Sequence, residues 1–572
     1  MTEPHSYAIG LDFGTASART LLLDLATGEE AALCELPYAH GVIDTTLPST
    51  GERLGGDWAL HDPDDYIPIL EEGIARVLAA VPGAARRVAG IGVDATCCSV
   101  LPVTADGTPL CRLERWRSHP HAWLKLWKHH APWHVADRLA QVAAERGEPF
   151  LARCGGSVSS EWYFPKVIET WLEDRPVYDA AASFVEVTDW LVWYLCGNLR
   201  RAASPAAYKA LWSEADGLPP VSFFQAAFPG FSHPAEKLGN EFFPLGTPAG
   251  QVRPELAARL GLPAGVTVAV GNIDAFAAFP GAGAEGPGVF FMTVGTSACD
   301  LVVHQKQILL PGITGVARDG IIPGLYGYEA GEAATGDMLG WFAQTLAPGV
   351  VAPEGFAAAG GGYSAGILFD EMEASAAKLA PGETGLVALD WWNGNRSILA
   401  DAGLSGVIAG LTLQTRPAEI YRALLEAIAY GNTTILDNFQ QAGFELTEIV
   451  ACGGIAEKSP LLMQLIADVS GRPVSVPAGK QVTARGAALF GAVAAGVFPD
   501  VASATQALRP AVARRYLPDR QAGVSYREVY AIFKALHDAL GRDHAEWLHE
   551  LRRIKHRGDQ RSGPVRHRWE SA

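Results

Sequence analysis

Cysteine is scarce and scattered. The chain has eight in 572 residues, at positions 34, 97, 98, 111, 154, 196, 299 and 452, with no CxxC pair. That spacing argues against a zinc ribbon or a disulfide framework and for reduced, structural thiols. Charge is sparing too, at 19% of residues, and one-sided, with 45 basic against 62 acidic side chains for a formal −17. Such a balance argues against a general nucleic-acid binder or a partner of anionic membranes. Long apolar runs are missing. Gly486 to Phe498 is uncharged and mostly apolar but too short to span a bilayer. The opening MTEPHSYAIGLDFG has no basic segment followed by an apolar one, so no signal peptide is expected. These absences predict a cytoplasmic protein with neither nucleic-acid nor membrane partners. Apolar residues, by contrast, make up 49% of the chain, enough for substantial cores, and the length suggests about two to four domains.

The clearest pattern is Tyr7 to Asp24, where a β-prone run meets Asp12-Phe13-Gly14-Thr15-Ala16-Ser17 and a second apolar run follows. It predicts a hairpin with a small-residue tip. Gly288 to Val303 repeats the pattern: a slide of 281 residues puts Gly14 on Gly295 and Thr15 on Thr296. Two such hairpins half a chain apart suggest an internal duplication and two similar lobes. Arg87 to Val103 predicts a strand, a Thr/Cys turn and another strand, and Val266 to Val270 a strand before Asn272-Ile273-Asp274. Further on, Pro417 to Phe439 predicts a helix, Glu448 to Cys452 a strand before Gly453-Gly454, and Ser459-Pro460 the cap and first residue of a helix ending at Gly471. Val474 to Val476 is a strand, and Gly486 to Val497 a small-residue helix. Strands separated by helices imply parallel sheets covered on both faces. Near the end, Ser525-x-x-Glu528 predicts the capped start of an amphipathic helix, and Arg552 to Arg568 a basic, solvated terminus.

Several familiar strings lack the context their chemistry requires. Gly281-x-Gly283-x-x-Gly286 precedes a strand instead of joining strand to helix, so it reads as a loop. After Gly479-Lys480 comes Gln481, where a P-loop needs a hydroxyl. Gly362-Tyr363-Ser364-Ala365-Gly366 follows an Ala/Gly run, not the strand a nucleophile elbow needs. His119, His121, His129 and His130 lack zinc spacing and read as surface or groove histidines.

What remains is a phosphate-binding device. Triphosphate oxygens need directed N–H donors at short range, and a tight glycine-containing hairpin supplies them. Gly14, Thr15, Ala16 and Ser17 form one such tip and Gly295, Thr296 and Ser297 another. Asp12 could bind Mg²⁺ directly or through water, or merely cap its own turn. Asp274, at a strand end among Ile273, Ala275 and Phe276, would be partly desolvated and its pKa raised, as a general base needs. It could equally be the N-cap of the segment that follows.

Together, Asp12-Phe13-Gly14-Thr15, Gly295-Thr296-Ser297 and Gly453-Gly454 resemble the actin-like ATPase superfamily, and within it the FGGY family of carbohydrate kinases. GVDATCCSVLPVTADG (92–107), LWKHH (126–130), SSEWYFPK (159–166), YKALW (208–212), GLPPVSFF (217–224), GNIDAF (271–276), VGTSACD (294–300) and LDWWNGNRS (389–397) run in the order of that family's pentulose-specific members. The likeness extends from about residue 7 to about residue 495. It implies an α/β fold of two ribonuclease-H-like lobes around a cleft: a sugar-binding lobe (1–284), an ATP-binding lobe (285–500) and a helical, basic extension (501–572).

It also implies ATP and Mg²⁺ as cofactors and a ketopentose, L-ribulose foremost, phosphorylated on its terminal hydroxyl. Asp274 would be the base. Thr96, Cys97, Lys209 and Glu329 would contact sugar, with Glu332 as a substitute for Glu329; read bare, Lys209 could be a solvated lysine and Cys97-Cys98 core packing. Gly453-Gly454 would lie against the nucleotide, and the helix after Ser459 would turn its positive end to the phosphates. Trp127, Trp162, Trp391 and Trp392 could stack on ligand or pack in cores. Rival readings are another FGGY kinase or a nucleotide-dependent chaperone or sugar sensor. Oligomeric state is not legible in the chain, and a homodimer stays open.

Overall fold

The structure, a computed structural model, describes residues 7–232, 234–346, 365–479 and 481–561, without the side chains of 365–368 and 556–561. Gly362 to Ser364 of the GxSxG-like string, Lys480 and the basic tail beyond Arg561 lie outside the described residues.

Two seven-stranded sheets organise the fold. In the first, Pro248–Gln251, Thr267–Ala269, Val88–Ala95, Tyr7–Phe13, Ser17–Asp24 and Glu30–Pro37 lie side by side, with Asn272–Ile273 also on Val88–Ala95. Tyr7–Phe13 and Val88–Ala95 are buried at every position, as central strands covered on both faces must be, whereas Glu30–Pro37 alternates half-buried and exposed at the edge. The second sheet runs Gly315–Arg318, Tyr326–Ala330, Ala298–His304, Val289–Val294, Glu448–Cys452, Val474–Pro477 and Val512–Tyr516.

Within each, five strands share one order: three strands in reverse chain order, with Gly315–Arg318 intervening before the last of them in the second sheet, then two strands that arrive after helical crossovers. Glu30–Pro37, Ser17–Asp24, Tyr7–Phe13, Val88–Ala95 and Thr267–Ala269 form one set; Tyr326–Ala330, Ala298–His304, Val289–Val294, Glu448–Cys452 and Val474–Pro477 form the other. That repeat bears out the duplication read from the two Gly-Thr hairpins, and the mixed α/β class with it.

The small-residue helix, Val482–Ala494, explains its own composition. Gly10, Gly90 and Gly92 of the first sheet face the carbonyls of Ala484, Gly491 and Ala487, and a Cβ on any of the three would collide with helix backbone. Ser459 caps Pro460–Ser470, accepting from Leu462 N–H at 3.2 Å, and Gly471 ends that helix at φ 68°, as the sequence predicts. The amphipathic helix near the end departs from expectation. It is Arg520–Asp538, capped by Asp519, which accepts from Gln521 and Ala522 N–H, so Ser525 lies inside it and not at its start.

The chain folds into two compact units. One comprises residues up to Phe291 with Leu301–Glu329 and Pro477–Ala513; the other comprises Met292–Asp300, Ala330–Val476 and the residues from Arg514 on. The contiguous boundaries expected at 284 and 500 are not those of this division, because 301–329 and 477–513 return to the first unit. Among the described residues, no helix is long and apolar enough to cross a membrane.

Candidate active site

In the first unit, strand register builds a row of polar groups. Asp12 is the register partner of Arg19 on one side and Asp94 on the other, and Asn272 partners Asp94 in turn. Asp12 is buried and pairs with Arg19 Nη1 at 3.1 Å; Arg19 Nη2 also reaches Glu35 Oε1 at 3.2 Å. Burial raises the Asp12 pKa against the pull of Arg19. Asp94 is raised well above the usual carboxylate range, by burial and then by the charges of Asp12 and Asp274.

Asp274 opens the helix Asp274–Gly281 directly after the Asn272–Ile273 bridge, and its Oδ1 accepts from Ala275 N–H at 2.7 Å. Ile273, not Asp274, is the N-cap. Burial pushes the Asp274 carboxyl up to about 6, with the Asp12 and Glu329 charges adding to the rise and Lys209 and the Ala275 N–H opposing it. A carboxylate with that pKa is mostly ionised at neutral pH yet basic enough to take a proton.

Lys209 ends the helix Ala203–Lys209 and Glu329 lies in Tyr326–Ala330. Lys209 Nζ donates to both oxygens of Glu329, at 2.9 and 2.6 Å. Burial works to lower the Lys209 pKa, but Glu329 and then Cys97 and Cys98 hold it well above the usual value. The 96–99 turn closes with Thr96 Oγ1 and Ser99 Oγ at 2.9 Å and Thr96 N–H on Phe13 O at 3.1 Å. Cys98 within it is left-handed at φ 59° and buried, and Cys97 is half-buried. Glu332, the substitute considered for Glu329, is fully buried in the second unit on Asn432 Nδ2. Its place there leaves Glu329 as the acid that meets Lys209.

At the first tip, Gly14 N–H closes on Ser17 O at 3.1 Å; Thr15 is half-buried and Ala16 exposed. Ser17 is a different matter. Its hydroxyl is buried and donates to Glu35 Oε1 at 2.7 Å, so it is committed inside the fold and not displayed at the tip.

In the second unit, the other tip is stitched to a helix start. Gly295 O accepts from Gly336 N–H at 2.9 Å and Thr335 Oγ1 at 2.7 Å, and Thr296 O accepts from Thr335 and Asp337 N–H at 3.0 and 3.2 Å. Ser297, half-buried, closes this tip by accepting Gly295 N–H at 2.9 Å. Gly295, Thr296, Gly336, Asp337, Glu373, Gly454, Lys458 and Ser459 line a cavity of about 760 Å³ whose apolar wall is Leu339, Phe369, Tyr421 and Ile455. Gly453 adopts φ 95° beneath the Val294 backbone, where a Cβ would collide, whereas Gly454 has open space at its Cβ position.

One sequence expectation is corrected here. The N-terminus of Pro460–Ser470 does not stand free for phosphate, because Glu373 occupies it. Its Oε1 accepts from Leu461 N–H at 2.9 Å, and Ser459 Oγ lies 2.8 and 2.9 Å from its two oxygens.

The histidine expectation is corrected too. His121 and His129 are buried, bonded respectively to Lys125 Nζ at 3.0 Å and to Glu169 Oε2 at 2.9 Å. Trp162 and Trp391 are buried in cores, and Trp392 packs on Trp341 with ring centroids 5.2 Å apart. Sequence reasoning missed Asp94, Lys458 and Glu373. Asp94 alone left a signal, as an acid inside the otherwise apolar strand Val88–Ala95.

The donor set suits magnesium. Among the described residues no three His, Cys, Asp or Glu side chains converge as a metal cage. Mg²⁺ is held through one or two carboxylates, with waters and substrate phosphates completing its shell. Asp12, with Asp274 electrostatically coupled to it, supplies that kind of site.

A fold of repeated sheets with Gly-Thr hairpins, a raised-pKa aspartate and a glycine-lined cavity fits a phosphotransferase acting on an alcohol. The chain belongs to the FGGY family of carbohydrate kinases: the model of that family's C-terminal domain matches residues 290–495, and near-full-length relatives carry the rest. It is a sugar kinase. It is 44% identical over 96% of its length, and 98% of the relative's, to a protein of Halalkalibacterium halodurans named Ribulokinase. It is 42% identical over 95% of its length to another so named from Mycolicibacterium smegmatis, covering 96% of that chain. Among solved structures, xylulose kinase from Rhodospirillum rubrum aligns with a TM-score of 0.74 at 26% identity, over 95% of this chain and all of the other. Glycerol kinase from Plasmodium falciparum, solved with ADP, shares the fold at a TM-score of 0.74 and 16% identity, over 93% and 99% of the two chains.

Proposed function

We propose that this kinase transfers the γ-phosphoryl group of ATP to the C5 hydroxyl of L-ribulose, giving L-ribulose 5-phosphate and ADP, as a cytoplasmic step of L-arabinose catabolism. The observation that carries this reading is 44% identity, end to end, to a Ribulokinase.

In this account Lys209 and Glu329, with the Thr96-Cys97 turn, hold the sugar: the ammonium donates to hydroxyl or carbonyl oxygens, and the carboxylate accepts from hydroxyls. Asp274 takes the proton of the C5 hydroxyl as that oxygen attacks in line. Its pKa of about 6 makes it a working base at neutral pH. Gly14, Thr15 and Ala16, and Gly295, Thr296 and Ser297, offer backbone N–H and hydroxyl groups to the β- and γ-phosphates. Gly453-Gly454 and the apolar wall around Tyr421 receive the nucleoside end, and Asp12 holds Mg²⁺ through water or directly. The ion, when bound, neutralises developing charge on the phosphate oxygens.

The test is ADP release measured across L-ribulose, D-ribulose, D-xylulose and glycerol. L-ribulose should give the highest kcat/KM. A preference for D-xylulose or glycerol would overturn the substrate assignment, and ATP turnover that ignores every sugar would overturn the phosphotransfer reading itself.

A further inference from the structure

Two of the sequence strings, LWKHH (126–130) and SSEWYFPK (159–166), belong to no ligand contact above, yet they meet in a buried ionic lattice. The helix Tyr163–Glu173 carries Lys166, Glu169 and Thr170 on one face, all buried. Lys125 Nζ, also buried, donates to Glu169 Oε2 at 2.6 Å, Thr170 Oγ1 at 2.8 Å and Lys166 O at 3.1 Å. Lys166 Nζ donates to the carbonyls of Cys98 and Leu126 and, at 3.4 Å, of Trp127. His129 Nε2 closes on Glu169 at 2.9 Å, while its Nδ1 faces Ala59 N–H at 3.3 Å. Burial, resisted by Glu169, takes the His129 pKa down to about 4, which keeps the ring neutral. The peptide is thus pinned on both sides of one residue, Trp127.

Trp127 is half-buried, and its indole Nε1 lies 2.9 Å from Thr15 Oγ1. An indole N–H can only donate, so the Thr15 hydroxyl must accept here. A hydroxyl has one proton. With its oxygen engaged by Trp127, that proton remains for an acceptor at the hairpin tip. We propose that Trp127 is a positioning residue of the kinase: it fixes the Thr15 hydroxyl as a donor to the nucleotide's phosphates, and the Lys125–Lys166–Glu169 lattice holds Trp127 in place to do so. The inference rests on the reading that the 14–17 tip binds phosphate.

A double-mutant cycle tests it on the full chain. Thr15→Val should raise the KM for ATP or lower kcat by about tenfold, the scale of one lost charge-assisted hydrogen bond. Trp127→Phe, which keeps an aromatic ring and removes the N–H, should move the same constants by about three- to tenfold and leave the KM for the sugar unchanged. The double variant should be no worse than Thr15→Val alone. Benzothienylalanine incorporated at position 127 keeps the bicyclic ring without the N–H, and should reproduce the Trp127→Phe effect if that variant packs poorly.

The proposal is overturned if Thr15→Val impairs ATP use while both replacements at 127 leave it intact, or if the two effects multiply in the double variant. If Thr15→Val itself changes nothing, the phosphate reading of the tip fails, and this inference falls with it.

Discussion

The two Gly-Thr hairpins share a backbone plan and differ in charge. In the first, Asp12 faces Arg19 across the register, with Asp94 alongside. The residues 281 further on are Thr293 and Asp300. Thr293 Oγ1 lies 3.5 Å from Cys452 Sγ, and Asp300 is fully buried, its pKa pushed up to about 8 by burial against the pull of Arg396. In the proposed function both tips offer N–H groups to an anion, but the second hairpin has no acid at the place of Asp12. On that reading the duplicated backbone supplies the phosphate cradle twice, and side-chain divergence leaves metal and base chemistry to one copy.

Four experiments press on that contrast. The largest effect is expected from Asp12→Asn, which should lower kcat by about 10²-fold and raise the Mg²⁺ concentration for half-maximal rate. Thr293→Asn at the corresponding place should leave the magnesium dependence unaltered, and equal losses at both positions would erase the distinction.

Gly295→Val should raise the KM for ATP by about tenfold with the KM for sugar unchanged, since its Cβ meets only Ser297 O at 3.9 Å and the fold can accept it. A variant with normal ATP affinity would remove the second tip from the nucleotide site.

The pH profile comes next. As the proposed base, Asp274 would work as the free carboxylate, so kcat/KM should fall about tenfold per unit below its pKa of about 6. A profile flat down to pH 5 would contradict the assignment.

The smallest effect concerns stability in the second unit, where burial raises Asp390 to about 7 and Asp300 to about 8, and Glu332 higher than its usual range. Groups whose folded pKa is raised favour the fold fully below about pH 4 and lose that contribution as pH climbs through 7 to 8. Asp390→Asn should therefore raise Tm by about 2–4 °C at pH 8 and by nothing measurable at pH 4. Equal shifts at both pH values would point to packing instead.

Much of this was legible in the chain because its signals are local. Gly14-Thr15 between two β-prone runs, Ser459-Pro460 before a helix, and Asp274 at a strand end each declare themselves within a few residues. What stayed hidden lies in contacts between distant segments. Glu373 reaches Ser459 across 86 residues, and Lys125 meets Glu169 across 44. Nothing in the sequence around Lys125 points to the helix Tyr163–Glu173 that buries it. Ser17 reads as a ligand because its hydroxyl follows Gly14-Thr15-Ala16 at a hairpin tip, and only the pairing of Ser17–Asp24 with Glu30–Pro37 brings Glu35 over it. The misplaced start of Arg520–Asp538 has a local cause: Ser525-x-x-Glu528 copies a capping box, but Asp519 caps first.

The most direct test is Asp274→Asn, assayed for L-ribulose phosphorylation alongside ATP binding by calorimetry. The expected result is a fall in kcat of about 10²–10⁴-fold with nucleotide affinity unaltered. Turnover within a few-fold of the parent enzyme would show that another group takes the proton.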